Sequence, residues 1–345
     1  MRYLVKITPL EPYAFGDDRN FVYPGERSTG KETYFVRSKN VPEQTSVLGL
    51  LRYLVLQKQG LLKTDFTYSA EERMQMKECI GERSFSYLET EPQDFGWIKE
   101  ISPVFLLNER EEVLVINPFH NRAKDSGYEP IKVDNGIETS HGIISLPKQG
   151  EYDGKKGYAR GYINLTTKEI LCDLFETKVV SGNRKNDKQG SDEGGFFKRE
   201  LKILKAGFSF AVFADVRDLP EKAIGYMGKK KSAFLIEAKP AESADLEQMV
   251  KECFSEGDTW FYALSDIVLQ EAQEYKEFCI VEEKYQRNLE TVHDADNRLK
   301  RLRKSEIRHH LIQSGSVFYG EPYLVQEHKN AVQAGYNRIV RLGGN

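Results

Sequence analysis

The most chemically suggestive stretch is a run of glycines and charged residues at 181–197, SGNRKNDKQGSDEGGFF, between two strand-like segments. Its cations and its closing aromatic pair are Arg184, Lys185, Lys188, Phe196 and Phe197. Two strands that extend beyond a sheet and join through such a loop form a projecting finger. The cations would follow a phosphate backbone, and an aromatic tip would stack on a base. A disordered surface loop has the same composition and is the alternative.

Two further cation-rich runs suit the same chemistry. GKKKS at 228–232 joins a backbone-exposing glycine to cations that can contact phosphate oxygens without reading bases. Its candidate contacts are Lys229, Lys230, Lys231 and Ser232. RLKRLRKSEIRHH at 298–310 has an apolar seam that predicts an RNA-facing or partner-facing helix. A surface lysine cluster and a solvated helix face are the respective alternatives.

Two motifs typical of phosphate chemistry are incomplete. GERSTGKE at 25–32 resembles a GxxxxGK[ST] loop, but Glu32 stands where a Mg²⁺-binding hydroxyl should follow Lys31. The next residues, TYFVRS, alternate like a strand instead of opening a helix. His293 and Asp294, with Asp296, resemble part of a metal-dependent phosphohydrolase site, but such a site needs further histidines, and a solvated, charged helix explains the residues better. We interpret the first motif as a flexible glycine loop and the second as surface.

Three histidines are candidates for acid–base chemistry on RNA. His120, His309 and His310 could move a proton from a 2′-hydroxyl, because imidazole titrates near neutral pH. The sequence identifies no partner for any of them. A hydrogen-bonded or solvated histidine is the alternative for each.

Composition limits the class of protein. The 345 residues include 50 Lys and Arg and 53 Asp and Glu, so the net charge of −3 provides no general attraction for polyanions. Any nucleic-acid site must therefore be local. No apolar run approaches the roughly 20 residues of a membrane span, and the chain enters a strand without a signal-peptide pattern. These features predict a cytoplasmic globular protein.

The cysteines have no metal-site spacing. Cys79, Cys172, Cys253 and Cys279 are widely separated and form no CxxC pair. We therefore expect four buried free thiols, no metal and no cofactor.

The elements that would position the candidate residues follow an alternating pattern in the first two thirds of the chain. YLVKIT at 3–8 predicts a strand. Val47, Leu50, Leu51, Leu54 and Val55 share one helical face, which predicts a helix with Ser46 as its N-cap that ends before Gly60. Strands are predicted at 170–180, 201–214 and 232–238, with a short helix in DLPEKAIGYM at 218–227. This order, βαββαβ, is the ferredoxin-like unit found in RNA-recognition modules.

The pattern predicts two domains. The first covers 1–240 and contains an insertion at about 61–169. After Pro240 a smaller α+β domain, 241–345, is predicted from a helix near 244–254, strands at 259–269, 310–319 and 335–342, and a helical run at 288–307. No sequence repeat supports duplication of one domain.

Several segments, in their order along the chain, resemble one family. They are KITPLEPYAFGDDRNF, VPEQTSVLGLLRY, GWIKEISPVFLL, VINPFHNR, VVSGNRKN with GGFFKRELKILKAGFSFAV, IGYMGKKKSAFLI and LIQSGSVFYG. They are similar to the RAMP superfamily, and within it to the handle-binding subunit of type III-B CRISPR effector complexes, called Cmr complexes. The resemblance extends over nearly the whole chain.

The resemblance implies a fold and a function. The fold is α+β, with two modified ferredoxin-like (RRM-like) domains, the first carrying the insertion and a protruding β-hairpin thumb at about 181–197. The function is binding of the 5′ handle of the guide RNA, contact with a large polymerase-palm subunit and backbone subunits, and no catalysis. Carried over by position, the RNA contacts fall at Arg19, Asn20, Ser46, Arg52, the thumb residues, 229–232, Gly315 and Ser316.

The chain also departs from the family pattern. GYNRIVRLGGN at the C-terminus lacks a glycine-aromatic-glycine turn, and the thumb includes the acids Asp187, Asp192 and Glu193. Two other functions stay open at this point. One is a RAMP endoribonuclease that trims repeat RNA with a histidine, and the other is a protein-only scaffold.

Overall fold

The structure is a computed structural model that describes residues 1–22, 34–65, 67–87, 89, 91–140, 142–155, 160–185, 191–228, 231–268, 278–293, 299–322 and 329–343. Its helices are α1 (Gln44–Lys58), α2 (Ala70–Ile80), α3 (Leu246–Cys253) and α4 (Lys329–Gln333). Its strands as far as the hairpin are β1 (Arg2–Pro9), β2 (Phe15–Val22), β3 (Tyr34–Lys39), β4 (Ile98–Ile101), β5 (Phe105–Leu107), β6 (Val113–Ile116), β7 (Val133–Thr139), β8 (Gly142–Pro147), β9 (Tyr162–Asn164), β10 (Ile170–Leu171), β11 (Phe175–Lys185) and β12 (Ser191–Leu204). The later strands are β13 (Ser209–Val216), β14 (Lys222–Met227), β15 (Ser232–Pro240), β16 (Trp260–Ala263), β17 (Ile267–Val268), β18 (Cys279–Ile280), β19 (Glu283–Gln286), β20 (Leu289–His293), β21 (Leu299–Lys304), β22 (His309–Ile312), β23 (Val317–Tyr319) and β24 (Ile339–Leu342). The class is therefore α+β, with many strands and few helices.

A nine-stranded sheet organises the chain. Its order is β10-β9-β6-β5-β13-β1-β15-β14, and β4 also pairs with β13. β1 lies inside the sheet, antiparallel to both neighbours, with Val5 opposite Val212 on one side and Ala238 on the other. Strands β4, β5, β6 and β9 come from the segment predicted as an insertion, and they belong to the same sheet as β1.

The predicted first helix is confirmed as α1. Its buried face contains the five predicted apolar residues, Val47, Leu50, Leu51, Leu54 and Val55. The helix packs against β14 because Gly225 there has no side chain: a Cβ would lie 2.4 Å from Leu50 Cδ1. The predicted N-cap is wrong. Glu43 is the N-cap, since its carbonyl accepts the backbone N–H groups of Ser46 and Val47.

Two predicted helices are strands. Residues 222–227 form β14, whose Ile224 pairs with Leu235 of β15. The cation-rich run forms β21, which pairs with β20 from Leu289 opposite Lys304 to His293 opposite Leu299. Leucine, lysine and arginine favour helices only weakly, and pairing with a neighbouring strand outweighs that preference. The helix inferred for 298–310 is therefore not formed by residues 299–304.

Four predicted strands are each divided in two. The pairs are β10 and β11, β12 and β13, β16 and β17, and β22 and β23. Between β12 and β13 the chain turns at Gly207, which has a φ of +85°. Phe208 therefore lies in the turn, whereas Phe210 and Val212 are buried on one face of β13.

The C-terminal elements cover one face of the large sheet. Ala211 and Phe213 point away from Val212 and belong to a core shared with Trp260, Tyr262 and other residues of the sheet β18-β23-β16-β24. The opposite face is covered by α1. Both faces of the large sheet are therefore covered. The C-terminal part of the chain also forms a second small sheet with the order β17-β22-β19.

The cysteine prediction is only partly correct. Cys79 and Cys253 are buried, Cys279 is half-buried, and Cys172 is exposed. Across the described ranges, no group of His, Cys, Asp and Glu could hold a metal ion. Nor does any helix among them have the length and apolar character needed to cross a membrane.

Candidate nucleic-acid interface

The predicted finger is an antiparallel hairpin. β11 and β12 pair from Phe175 opposite Leu204 to Lys185 opposite Ser191. Residues 176–179 of β11 are all exposed, and the side chain of Val179 is 54% exposed. Because successive side chains of a strand point to opposite faces, both faces of β11 are solvent-exposed there. This segment therefore leaves the body of the protein.

The predicted thumb residues occupy the far part of this hairpin. Arg184 and Lys185 lie in β11, and Phe196 and Phe197 lie in β12 opposite Asn183 and Gly182. Lys188 falls outside the described residues. The structure thus confirms a hairpin at this position, and the RNA contacts of its side chains stay a prediction.

The hairpin is joined to a second sheet at its base. β12 runs parallel to β3, which is antiparallel to β2, giving the order β11-β12-β3-β2. The Ser38 N–H donates to Glu200 Oε2 at 3.3 Å, and the Phe15 N–H donates to Ser38 Oγ at 3.0 Å. Arg19 and Asn20 lie in β2 of this sheet. Two predicted groups, the thumb and β2, therefore belong to one continuous sheet.

The glycine and lysine turn lies beside the start of β2. It connects β14 to β15, with φ values of +79° at Gly228 and +53° at Lys231. A Cβ at Gly228 would lie 2.5 Å from the carbonyl oxygen of Ala14, so glycine is required for this close approach. Ser232 is buried. Lys229 and Lys230 fall outside the described residues.

The two α1 residues of the predicted interface are partly buried. The Arg52 guanidinium donates to the Arg83 carbonyl at 3.1 Å and lies 5.5 Å above the Phe95 ring. Burial lowers the pKa of Arg52, with a smaller opposing effect from Asp94. Ser46 is half-buried in the first turn of the helix. Arg52 therefore has an intramolecular role whether or not RNA is present.

Gly315 and Ser316 form a closely packed turn. Gly315 has a φ of +98°, and a Cβ there would lie 2.3 Å from Phe119 Cε1. Ser316 is fully buried, and its Oγ accepts the Glu282 N–H at 3.2 Å. Only the residues just before this turn, including Ser314, reach an open surface.

That surface is a cleft of about 670 Å³, which the sequence did not predict. It is lined by residues 38–44, 103–106, 116, 160, 162, 264–266, 282–285 and 313–314. Gln44, two residues before Ser46, and Ser314, next to Gly315, lie on the same cleft. The predicted residues Ser46, Gly315 and Ser316 are themselves not among the residues that line the cleft. Each lining segment is short and ordinary in composition, so no local signal could have indicated the cleft.

A chain of buried ion pairs crosses the cleft. Glu43 at the start of α1 lies 2.7 Å from Lys39 Nζ and 3.0 Å from Lys284 Nζ. Lys284 also pairs with Asp266, and Lys39 Nζ donates to Gln286 Oε1 at 2.7 Å. These contacts connect the β3–α1 segment to the C-terminal elements.

The pKa shifts follow from this arrangement. Burial alone would raise the pKa of Glu43, but the charges of Lys284 and Lys39 outweigh it and lower that pKa to about 2. Burial alone would lower the pKa of Lys284, but Asp266 and Glu43 raise it. Glu43 and Lys284 are therefore both charged at neutral pH.

The charges that line the cleft nearly balance. The cations are Lys39, Arg160 and Lys284, and the acids are Glu43, Asp266, Glu282 and Glu283. Arg160 at the rim pairs with Glu282 at 3.2 Å. Since each of these cations already has an acidic partner, the cleft does not present the positive potential that attracts phosphate groups.

The three candidate histidines lie in different surroundings. His120 is fully buried, and burial lowers its pKa to about 3. Its Nε2 lies 2.5 Å from the Tyr128 hydroxyl. Burial also lowers the pKa of His309, whose ring packs against Tyr87. His310 stacks on Tyr285 and lies 3.0 Å from the Glu283 carboxylate.

The sequence family defines the class of protein. The chain belongs to a family of CRISPR-associated proteins, described as CRISPR-associated protein (Cas_Cmr3), which matches residues 5–321. The match spans nearly the whole chain and confirms the predicted Cmr-type identity.

Solved structures of low sequence identity are also similar. One chain of the cryo-EM structure of the Type III-B Cmr-beta bound to cognate target RNA is 13% identical, with a TM-score of 0.48 and coverage of 99% of this chain and 98% of that chain. A chain of the same assembly bound to cognate target RNA and AMPPnP, state 1, is 14% identical, with a TM-score of 0.45 and coverage of 92% and 86%. A chain of the Csm3-Csm4 subcomplex of the type III-A CRISPR-Cas interference complex is 11% identical, with a TM-score of 0.39 and coverage of 99% of each chain. No curated protein matches this sequence.

Proposed function

We propose that this chain is a non-catalytic, cytoplasmic subunit of a type III CRISPR effector complex that binds the 5′ handle of the guide RNA. In this role it joins the large polymerase-palm subunit to the backbone subunits during antiviral defence. The family match supports the CRISPR context. The observation that carries the RNA-binding role is the β11–β12 hairpin, which leaves the body of the protein with both faces of β11 exposed at 176–179.

The proposed contacts divide by chemistry. Cations of the hairpin neutralise phosphates, which adds affinity without reading sequence. Gly228, at the start of the turn at 228–232, lies beside the start of β2, and this supports RNA contacts of the turn next to those of Arg19 and Asn20. Arg19, Asn20, Ser46, Arg52, Gly315 and Ser316 complete the proposed set of RNA contacts. Because Ser316 is fully buried, its contact with RNA requires a conformational change, and that change is part of the proposal.

The proposed domains are 1–240 and 241–345, each a modified ferredoxin-like unit. Two features support the first: β1 is flanked by β13 and β15, and α1 packs on the same sheet. The strand β14 stands where the second helix of a regular unit was expected, which is why we describe the unit as modified.

The test is a titration of single-stranded RNA carrying the repeat-derived handle at several salt concentrations. The wild-type protein should show a negative slope of log affinity against log salt. The variant Arg184→Ala/Lys185→Ala/Lys188→Ala should reduce the slope by about 2, from about 0.7 for each phosphate contact on a single strand. A matched triple variant in exposed lysines elsewhere, Lys58→Ala/Lys124→Ala/Lys251→Ala, should leave it unchanged.

Three outcomes oppose the proposal in different ways. Absence of RNA binding supports a protein-only scaffold. Equal slopes of log affinity against log salt for the two triple variants would mean that the RNA does not contact the hairpin cations. RNA cleavage that disappears in His310→Ala supports a RAMP endoribonuclease.

A further inference from the structure

The large sheet has an open edge at β14. This strand pairs with β15 on one side, and no described strand pairs with its other side. The Ala238 N–H donates to the Glu221 carbonyl at 2.9 Å, so the backbone groups of Glu221 face β15. Because hydrogen-bonded and non-hydrogen-bonded pairs alternate along an antiparallel ladder, the backbone groups of Lys222, Ile224 and Tyr226 point to the open edge. β14 therefore presents a row of N–H and C=O groups that pair with no described strand.

The side chains beside this edge are apolar and exposed. Gly225 faces α1, so Ile224 and Tyr226 lie on the opposite face of the sheet. Their exposed fractions, 38% and 52%, show that the C-terminal elements do not cover the sheet here. Leu10, also exposed, lies in the same row, because its N–H donates to the carbonyl of Ala233, the residue opposite Tyr226. An exposed edge with apolar side chains is a template for pairing with another strand.

The two ends of β14 carry opposite charges. Asp218 and Glu221 precede the strand, and three lysines follow it at 229–231. Glu221 and Lys231 are both exposed. In an antiparallel pair of two β14 strands, the acidic end of each strand lies beside the basic end of the other, whereas a parallel pair would place like charges together. The edge is therefore complementary in charge to a second copy of itself.

We propose that β14 pairs antiparallel with β14 of a second copy of this chain, which joins two large sheets across a two-fold axis. Centring the pair on Ile224 places this residue opposite its own counterpart, and Lys222 opposite Tyr226 of the other copy. In that register the outward N–H and C=O groups of all three residues have partners. The isoleucines pack across the axis, and each ammonium group lies near an aromatic ring. The pairing goes beyond the proposed function and needs no RNA.

The experiment is sedimentation velocity of the full chain without RNA, over a range of protein concentrations. One pair of strands buries less surface than a standard interface of about 1,600 Å², so the dimer should be weak and should dissociate on dilution. Ile224→Lys places two ammonium groups opposite each other and should weaken dimerisation about tenfold or more. Leu146→Lys is the matched control, since Leu146 is 41% exposed on β8 of another sheet, and it should leave dimerisation unchanged.

Exchange of the end charges tests the antiparallel arrangement. Glu221→Lys and Lys231→Glu each place like charges together at both ends of the pair, and each should weaken dimerisation about threefold. The double variant Glu221→Lys/Lys231→Glu restores opposite charges and should recover the dissociation constant of the wild type. Such recovery requires that the acidic end of one copy meets the basic end of the other.

The inference is overturned if the wild type stays monomeric up to about 1 mM, a result that would leave the edge to a different partner. It is also overturned if Ile224→Lys dimerises as well as the wild type does, or if the double variant fails to recover. None of these outcomes bears on the proposed function, which the salt dependence of RNA binding tests separately.

Discussion

The β11–β12 hairpin and the cleft both contain lysines, but these lysines have different surroundings. Lys178 of the hairpin is exposed on a strand whose two faces are both solvent-exposed. Lys284 of the cleft lies between Glu43 and Asp266. An exposed ammonium can exchange its water for a phosphate at little cost, whereas a buried one must first leave its carboxylates. The same residue type therefore supports RNA binding in one region and internal structure in the other.

The largest effect should come from breaking the buried ion pairs. Lys284→Met leaves Glu43 and Asp266 without this partner, and we expect a loss of about 3–5 kcal/mol in the free energy of unfolding. Lys178→Met on the hairpin is the matched control and should change it by less than about 0.5 kcal/mol. Urea unfolding of both variants measures the difference. Similar losses for the two would remove the distinction between the regions.

The cleft should also make stability depend on pH. The pKa of Glu43 is about 2 in the folded protein, and an unfolded glutamate titrates at about 4.3. A lowered folded pKa means that this stabilisation is complete above the unfolded pKa and is lost as pH falls through the window toward about 2. The thermal unfolding temperature, measured from about pH 6 down to about pH 2.5, should fall more steeply with decreasing pH for the wild type than for Glu43→Gln. Parallel curves would mean that Glu43 does not titrate in this way.

Replacing a glycine beside the cleft with alanine should destabilise the protein more than the same replacement at an exposed glycine. Gly315→Ala combines a φ of +98° with a clash against Phe119, and we expect a loss of about 1–3 kcal/mol. Gly49→Ala is the control, because a Cβ on this exposed residue of α1 meets nothing within 4 Å. Alanine should stabilise the helix there by about 0.5–1 kcal/mol. Denaturant midpoints of the two variants should therefore move in opposite directions.

The smallest effect should appear in the salt dependence of RNA binding. Arg184→Ala on the hairpin should reduce the slope by about 0.7, the value for one phosphate contact on a single strand. Lys39→Met in the cleft removes a cation that pairs with Glu43, and it should leave the slope unchanged for the folded fraction. A reduced slope for Lys39→Met would show that phosphates enter the cleft.

Local patterns predicted the elements whose signals lie within one segment. The spacing of Val47, Leu50, Leu51, Leu54 and Val55 was sufficient for α1, because a helix forms all its backbone hydrogen bonds within its own segment. The hairpin was predictable for a similar reason, since its two strands are neighbours in sequence. The Glu43 N-cap was missed because its side chain makes no capping hydrogen bond, so the usual Ser, Thr, Asp or Asn signal is absent there.

The errors fall where distant partners decide the structure. Residues 222–227 and 299–304 were predicted as helices, but each is a strand because another strand pairs with it. The cleft was missed for a related reason, because its lining comes from many short segments. Hydrogen bonding and packing between such segments depend on the whole chain and leave no periodic pattern in any one of them.

By itself the sequence determined the α+β class, the first helix, the hairpin and membership of a CRISPR-associated family, since these depend on local spacing or on motifs in order. Only the tertiary structure decided which lysines are exposed and which are paired, and it alone placed Gln44 and Ser314 on one cleft. The physical reason is that the charge and polarity of a side chain are set by its residue type, whereas its burial and its ion pairs depend on the residues that the fold places around it.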